Sequence, residues 1–241
     1  MTDKKNFLLV HGSWHNSKCW DRVVNILSAQ GHGVNAIDLP GRVTTGMAAW
    51  KITLEDHADA IVAAAKKEDG KLVLVGHSMG GLMISRAAEK APECFERLVY
   101  VSAFLPRNGD SLLSLSGKDK KSLVPTAFSM SLLRGKTTLK SNAAEVFYND
   151  LTPEDIELAT SHLVSEPGKP TMTKLKLSDE RFGSVPRAYI SCTEDLAITL
   201  DHQKYMIERQ PCEPVATLNA SHSPFYSMPD ELVKVLLEVS A

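Results

Sequence analysis

The sequence predicts an α/β fold in which helices cover both faces of a mostly parallel sheet. Short continuous apolar runs alternate with segments of helical apolar spacing over residues 7–101, and the same alternation returns after residue 186. The 241 residues, 43% apolar and 23% charged, suit one domain with room for an insertion.

The run Phe7-Leu8-Leu9-Val10 ends at His11-Gly12, as a strand buried on both faces should. Residues 20–27 carry apolar side chains at helical spacing and Gly31 stops them. A second strand spans 34–39, closed by Pro40-Gly41. A helix over 54–65 puts Ile61, Val62 and Ala65 on one face, and Asp69-Gly70 turns the chain. Residues 72–75 form the third strand, followed by a helix from Met79 to about Lys90, and 98–101 the fourth. The alternation then fails from Pro106 to Val185. One helix is expected there, with Thr152 as N-cap and Pro153 at its first position. Order resumes with a strand at 187–191, a helix around 202–209, a strand at 214–218 and a final helix at 229–239. The chain therefore reads as a core of 1–105 and 186–241 carrying an inserted cap, 106–185, within a single domain.

A formal net charge of -2 leaves no electrostatic footprint for nucleic acid. The N-terminal lysines precede only four apolar residues, too few for a signal-peptide core, and no stretch is long enough to span a bilayer. A cytoplasmic protein without membrane contact is expected. Cys19, Cys94, Cys192 and Cys212 lie far apart with no C-x-x-C pairing, so they are expected as reduced thiols, with no metal site and no cofactor.

Gly76-His77-Ser78-Met79-Gly80 fits G-x-S-x-G, between an expected strand and an expected helix. In that setting a serine is held on a strained turn, glycines admit close backbone approach, and free N–H groups at the helix start face a developing oxyanion. Serine needs a base, and in such a site the acid and then the histidine follow it in the chain. Of His162, His202 and His222, only His222 lies in a short loop after a late strand, where a parallel sheet places its ligands. Glu194 and Asp195 both follow the strand before it, and the residues alone leave the acid open between them. Ser13, just past the first strand, supplies the second oxyanion donor beside Met79. His11 precedes Ser78 and is assigned to shaping that loop.

These stretches resemble the hydroxynitrile lyase and plant methylesterase branch of the α/β-hydrolases, and most of all its bacterial esterases. The resemblance rests on FLLVHGSWHNSKCW at 7–20, GHGVNAIDLPGR at 31–42, LVLVGHSMGGL at 72–82, LVYVSAFLP at 98–106, VPRAYISCTEDLAI at 185–198 and SHSPFYSMPDEL at 221–232. It implies a six-stranded sheet, a compact cap over an apolar pocket, and dimerisation. It also implies Ser78 as nucleophile, Asp195 rather than Glu194 as acid, His222 as base, and Ser13 and Met79 as oxyanion donors. The substrate partner would be a small apolar alkyl or aryl ester. Gly12, Trp14, His15, Phe104 and Phe128 are expected around it, with Leu105 and Met130 as further wall candidates. Two alternatives stand beside ester hydrolysis: a lyase on the same scaffold, and a ligand-binding protein that keeps the triad. Lyases of this branch carry threonine after the first-loop histidine and lysine after the catalytic one, where this chain has Gly12 and Ser223. Glycine is expected to open space for water beside the oxyanion loop, and Ser223 cannot supply the charge that a departing cyanide requires.

Overall fold

The computed structural model describes residues 4–41, 48–131 and 135–241. Arg42, the last residue of one resembling stretch, and residues 132–134 of the expected cap lie outside these.

Six parallel strands form the main sheet in the order β2-β1-β3-β4-β8-β9. They are β1 (Asn6–Val10), β2 (Gly33–Ile37), β3 (Leu72–Ser78), β4 (Phe95–Ala103), β8 (Arg187–Cys192) and β9 (Val215–Leu218). The intervening β5 (Phe128–Ser131), β6 (Lys136–Leu139) and β7 (Glu166–Pro167) make a separate antiparallel sheet. Both faces of the main sheet are covered, which explains its unbroken apolar runs. Along β1, Leu8 and Val10 enter one core cluster while Phe7 and Leu9 enter the other; along β3, Leu72 and Leu74 oppose Val73 and Val75. This is the two-residue period of a strand written into two cores.

Helices α1 (Asp21–Ala29), α2 (Leu54–Ala65) and α3 (Gly80–Lys90) follow the first strands. Leu54 and Ile61 of α2 join Leu82 and Ile84 of α3 against one face, and Val23 and Leu27 of α1 cover the other. A capping box fixes the start of α2: Thr53 accepts the Asp56 N–H, and Asp56 accepts the Thr53 N–H. Strands β3 and β4 run further than the apolar signal reaches, because Gly76, His77, Ser78, Ser102 and Ala103 extend the elements past the last apolar residue of each run.

Between β4 and β8 the chain carries the short helices α4 (Leu112–Ser116), α5 (Val124–Ala127) and α6 (Ala143–Phe147), then α7 (Pro153–Ser161) and α8 (Lys169–Met172). Helix α7 begins as expected, with the Thr152 side chain accepting the Asp155 N–H at 3.2 Å. The strands β5 to β7 were not expected. They span 4, 4 and 2 residues, too short to show alternation. The chain closes with α9 (Leu200–Arg209), α10 (Pro224–Ser227) and α11 (Pro229–Val239), whose Leu232 and Leu236 complete the face covered by α1.

Candidate active site

The carboxyl ends of β1, β3, β8 and β9 converge on one edge, where open parallel sheets bind ligands. Ser78 ends β3 at φ 55°, in the left-handed region that costs a residue with a Cβ on the order of 1–3 kcal/mol. Close packing enforces the turn. A Cβ on Gly76 would meet the Gly80 carbonyl oxygen at 2.9 Å, and one on Gly81 the Phe104 carbonyl oxygen at 2.1 Å. The Phe104 N–H also donates to the Ser78 carbonyl at 3.0 Å.

Asp195 lies just past β8 and is buried. Its Oδ1 accepts the N–H groups of Ala197 (2.6 Å) and Ile198 (2.8 Å). Its Oδ2 accepts the Ser102 hydroxyl and the His222 Nδ1–H, the latter at 2.7 Å. Four donors offset the cost of a carboxylate out of water. Glu194 instead is exposed and meets the Thr193 hydroxyl at 3.2 Å. Because a carboxylate only accepts, His222 carries its proton on Nδ1 and leaves Nε2 with a lone pair. The His222 carbonyl accepts from Nε2 of His77, whose ring centroid lies 4.6 Å from that of His222. Burial above all, then the neighbouring His222 and His15, holds His77 well below the usual histidine range, so it stays neutral.

Ser13 and Met79 adjoin, the Ser13 hydroxyl donating to the Met79 sulfur at 3.1 Å. His11 braces the loop from behind: Nδ1 donates to the Gly12 carbonyl at 2.9 Å and Nε2 accepts the Leu39 N–H at 3.2 Å. Trp14, at φ 59°, is tied to the inserted segment three times. Its N–H donates to Glu166 (3.1 Å), its indole N–H donates to Thr137 (3.0 Å), and its carbonyl accepts the Val164 N–H (2.8 Å).

Ser13, Ser78 and Met79 reach a cavity of about 140 Å³ whose walls include Trp14, Phe104 and Phe128. An apolar cavity of about 150 Å³ accommodates one benzene ring, which sets the scale. Met130 also lines it, and Phe147, Ile198 and Glu166 are walls that composition did not single out.

Three expected positions are absent from the cavity's lining. His15 is buried behind the loop, with Nδ1 donating to the Ser13 carbonyl at 2.8 Å and Nε2 accepting the Tyr148 hydroxyl at 2.8 Å. Leu105 belongs to the core and not to the cavity wall. Gly12 opens no space for water: a Cβ there would stand 2.6 Å from the Ser78 Cβ, so the glycine is needed for that approach. Ser223 precedes α10 as its N-cap residue, but its buried hydroxyl makes no capping bond.

The cysteines are free thiols; burial, then Asp21 and Asp38, pushes Cys19 well above the usual thiol range, which makes it inert. Among the described residues no cluster of histidine, cysteine and carboxylate side chains is placed to hold a metal ion, and no helix is long and apolar enough to cross a membrane.

An open parallel sheet, a serine on a strained strand-to-helix turn and a buried histidine–carboxylate pair define a class. The chain belongs to the alpha/beta hydrolase family, which its residues 7–235 match. It is 34% identical to Methylesterase 2 of Arabidopsis thaliana over 255 residues, spanning 98% of this chain and 96% of that protein. It is 32% identical to polyneuridine aldehyde esterase of Rauvolfia serpentina over 259 residues, spanning 98% and 96%. Among solved structures, a pyrethroid hydrolase from Sphingobium faniae JZ-2 superposes with a TM-score of 0.88 at 26% identity, covering 99% of this chain and 98% of that one.

Proposed function

We propose that this chain is a serine esterase that hydrolyses small apolar alkyl or aryl carboxylic esters. The observation that carries it is the buried Asp195–His222 pair together with a strained serine in the lining of an apolar cavity. Ser78 Oγ attacks the ester carbonyl while His222 Nε2 takes its proton. The backbone N–H groups of Ser13 and Met79 stabilise the oxyanion. The C–O bond breaks, the alcohol leaves with the proton from His222, and an acyl-enzyme remains on Ser78. Water activated by His222 then releases the carboxylic acid and restores the serine. Asp195 holds the histidine tautomer and stabilises its cation. Residues 106–185 act as the cap, a reading supported by Leu112 and Leu113 of α4, Phe128 and Met130 of β5 and Thr137 of β6, which line the cavity that Ser78 reaches. The reading includes the cytoplasmic location expected of the chain and the homodimer that the family resemblance implies.

Lyase chemistry is disfavoured at Ser223. A departing cyanide in an apolar pocket needs a cation, and a buried hydroxyl supplies none. The test offers a small aryl acetate and mandelonitrile to one preparation dialysed against a chelator, because the scheme uses no metal. Phenol release without benzaldehyde above background is expected. Aldehyde release matching or exceeding ester turnover overturns the esterase reading.

A further inference from the structure

Four successive residues of the inserted segment, 147–150, grip three separate loops at the reactive edge of the sheet. The Phe147 ring lies 5.5 Å from that of His222. Tyr148 donates its hydroxyl to His15 Nε2 at 2.8 Å, and His15 in turn donates to the Ser13 carbonyl. Asn149 donates from Nδ2 to the Glu194 carbonyl at 3.1 Å, one residue before Asp195. Asp150 accepts twice from Ser221, one residue before His222: the N–H on Oδ2 at 2.8 Å and the hydroxyl on Oδ1. Oxyanion loop, acid loop and base loop are thus referenced to one short piece of chain.

We propose that residues 147–150 set the relative placement of these loops, with Asp150 as the positioning residue for His222. The inference rests on the esterase reading above. Ser221 is fully buried, and both its donors end on one carboxylate, which fixes the Ala220–Ser221 peptide and the Ser221 side chain immediately before His222. The carbonyl of His222 is held on its other side by His77 at 2.8 Å. With Ser221 held before it and its own carbonyl held after it, the His222 ring is left to Asp195 for its final angle. Asp150 touches none of the reacting groups and is itself exposed, so water can replace it at Ser221 and the fold survives its loss. What is lost is placement, and a misplacement of about 1 Å at a reacting group can cost on the order of a hundredfold in rate.

Placement and plain stability are separable by experiment. The variants Asp150→Ala, Asp150→Asn, Ser221→Ala and the pair Asp150→Ala/Ser221→Ala are assayed on an aryl acetate, with far-UV circular dichroism checking the fold. Ser78→Ala is run alongside, and its retaining activity would sink the esterase reading irrespective of the others. Asp150→Ala is expected to lower kcat at least tenfold with KM within about twofold, since substrate contacts are untouched. Asparagine can accept the Ser221 N–H and donate to its hydroxyl, so Asp150→Asn is expected to stay within about threefold of the parent. The double variant should match Asp150→Ala, because the serine hydroxyl has then already lost its partner. A change in KM alone, an Asn variant as poor as Ala, or losses that multiply in the double variant would each overturn the assignment. Should Asp150→Ala fail to fold, Ser221→Ala and Asp150→Asn still decide it: the hydroxyl deletion must lower kcat without raising KM, and asparagine must not.

Discussion

Replacing Ser78 by alanine is expected to lower kcat for an aryl acetate about a million-fold, leaving only what oxyanion binding and substrate positioning contribute. The fold should be unchanged. Alanine keeps the Cβ that already packs beside Gly12, and the strain at φ 55° is the same for both residues. Binding of a non-hydrolysable ester analogue should therefore stay near that of the parent, measured by calorimetry on the same preparation. The size of the effect follows from the serine's role: without its oxygen no acyl-enzyme forms, and water must attack directly. A variant that kept a tenth of the parent kcat would remove Ser78 from the mechanism.

Asp195→Asn should be the second most damaging change, on the order of ten-thousand-fold in kcat. The cause can be read from its four donors. Oδ1 faces two backbone N–H groups that cannot turn away, so asparagine must keep its oxygen there and place its NH2 against Ser102 and His222. An amide N–H donating to His222 Nδ1 drives the histidine proton to Nε2, where it can no longer accept from serine. Glu194→Gln should remain within about threefold, because that side chain is exposed and accepts a threonine hydroxyl at 3.2 Å. Comparable damage from both substitutions, read as kcat with the fold checked by circular dichroism, would leave the acid unassigned. Damage at Glu194 alone would reverse the assignment.

The parts of this molecule legible in the sequence are those whose signal is local. Strands such as β1 announce themselves because both faces are buried and the run Phe7 to Val10 must be apolar throughout. The final helix, Pro229–Val239, carries its own start signal and period. The serine on its turn is legible because glycines and strand lie within a few positions of it. The choice between Glu194 and Asp195 is not local. It depends on Ser102, which arrives from a strand 93 residues earlier in the chain, and on which carboxylate is buried. For the same reason Asp150, Tyr148 and Glu166 gave no signal: each acts through a partner more than 70 residues away. His15 misled because proximity in sequence to Ser13 suggested proximity to substrate. The left-handed turn at Trp14 sends the two neighbours apart, the tryptophan to the cavity and the histidine to the interior.

If one serine carries the acyl group, covalent titration reads it out at that residue. A fluorophosphonate reacts with an activated serine and stays there, so the enzyme is incubated with increasing equivalents, assayed, digested and sequenced by mass spectrometry. Loss of all ester turnover at one equivalent per chain is expected, with the label on the tryptic peptide 72–86 and fragment ions placing it on Ser78. Ser85 in the same peptide is buried and donates to the Gly81 carbonyl, so it should carry none. Complete inactivation with the label elsewhere, or Ser78 fully labelled while turnover persists, would contradict the account.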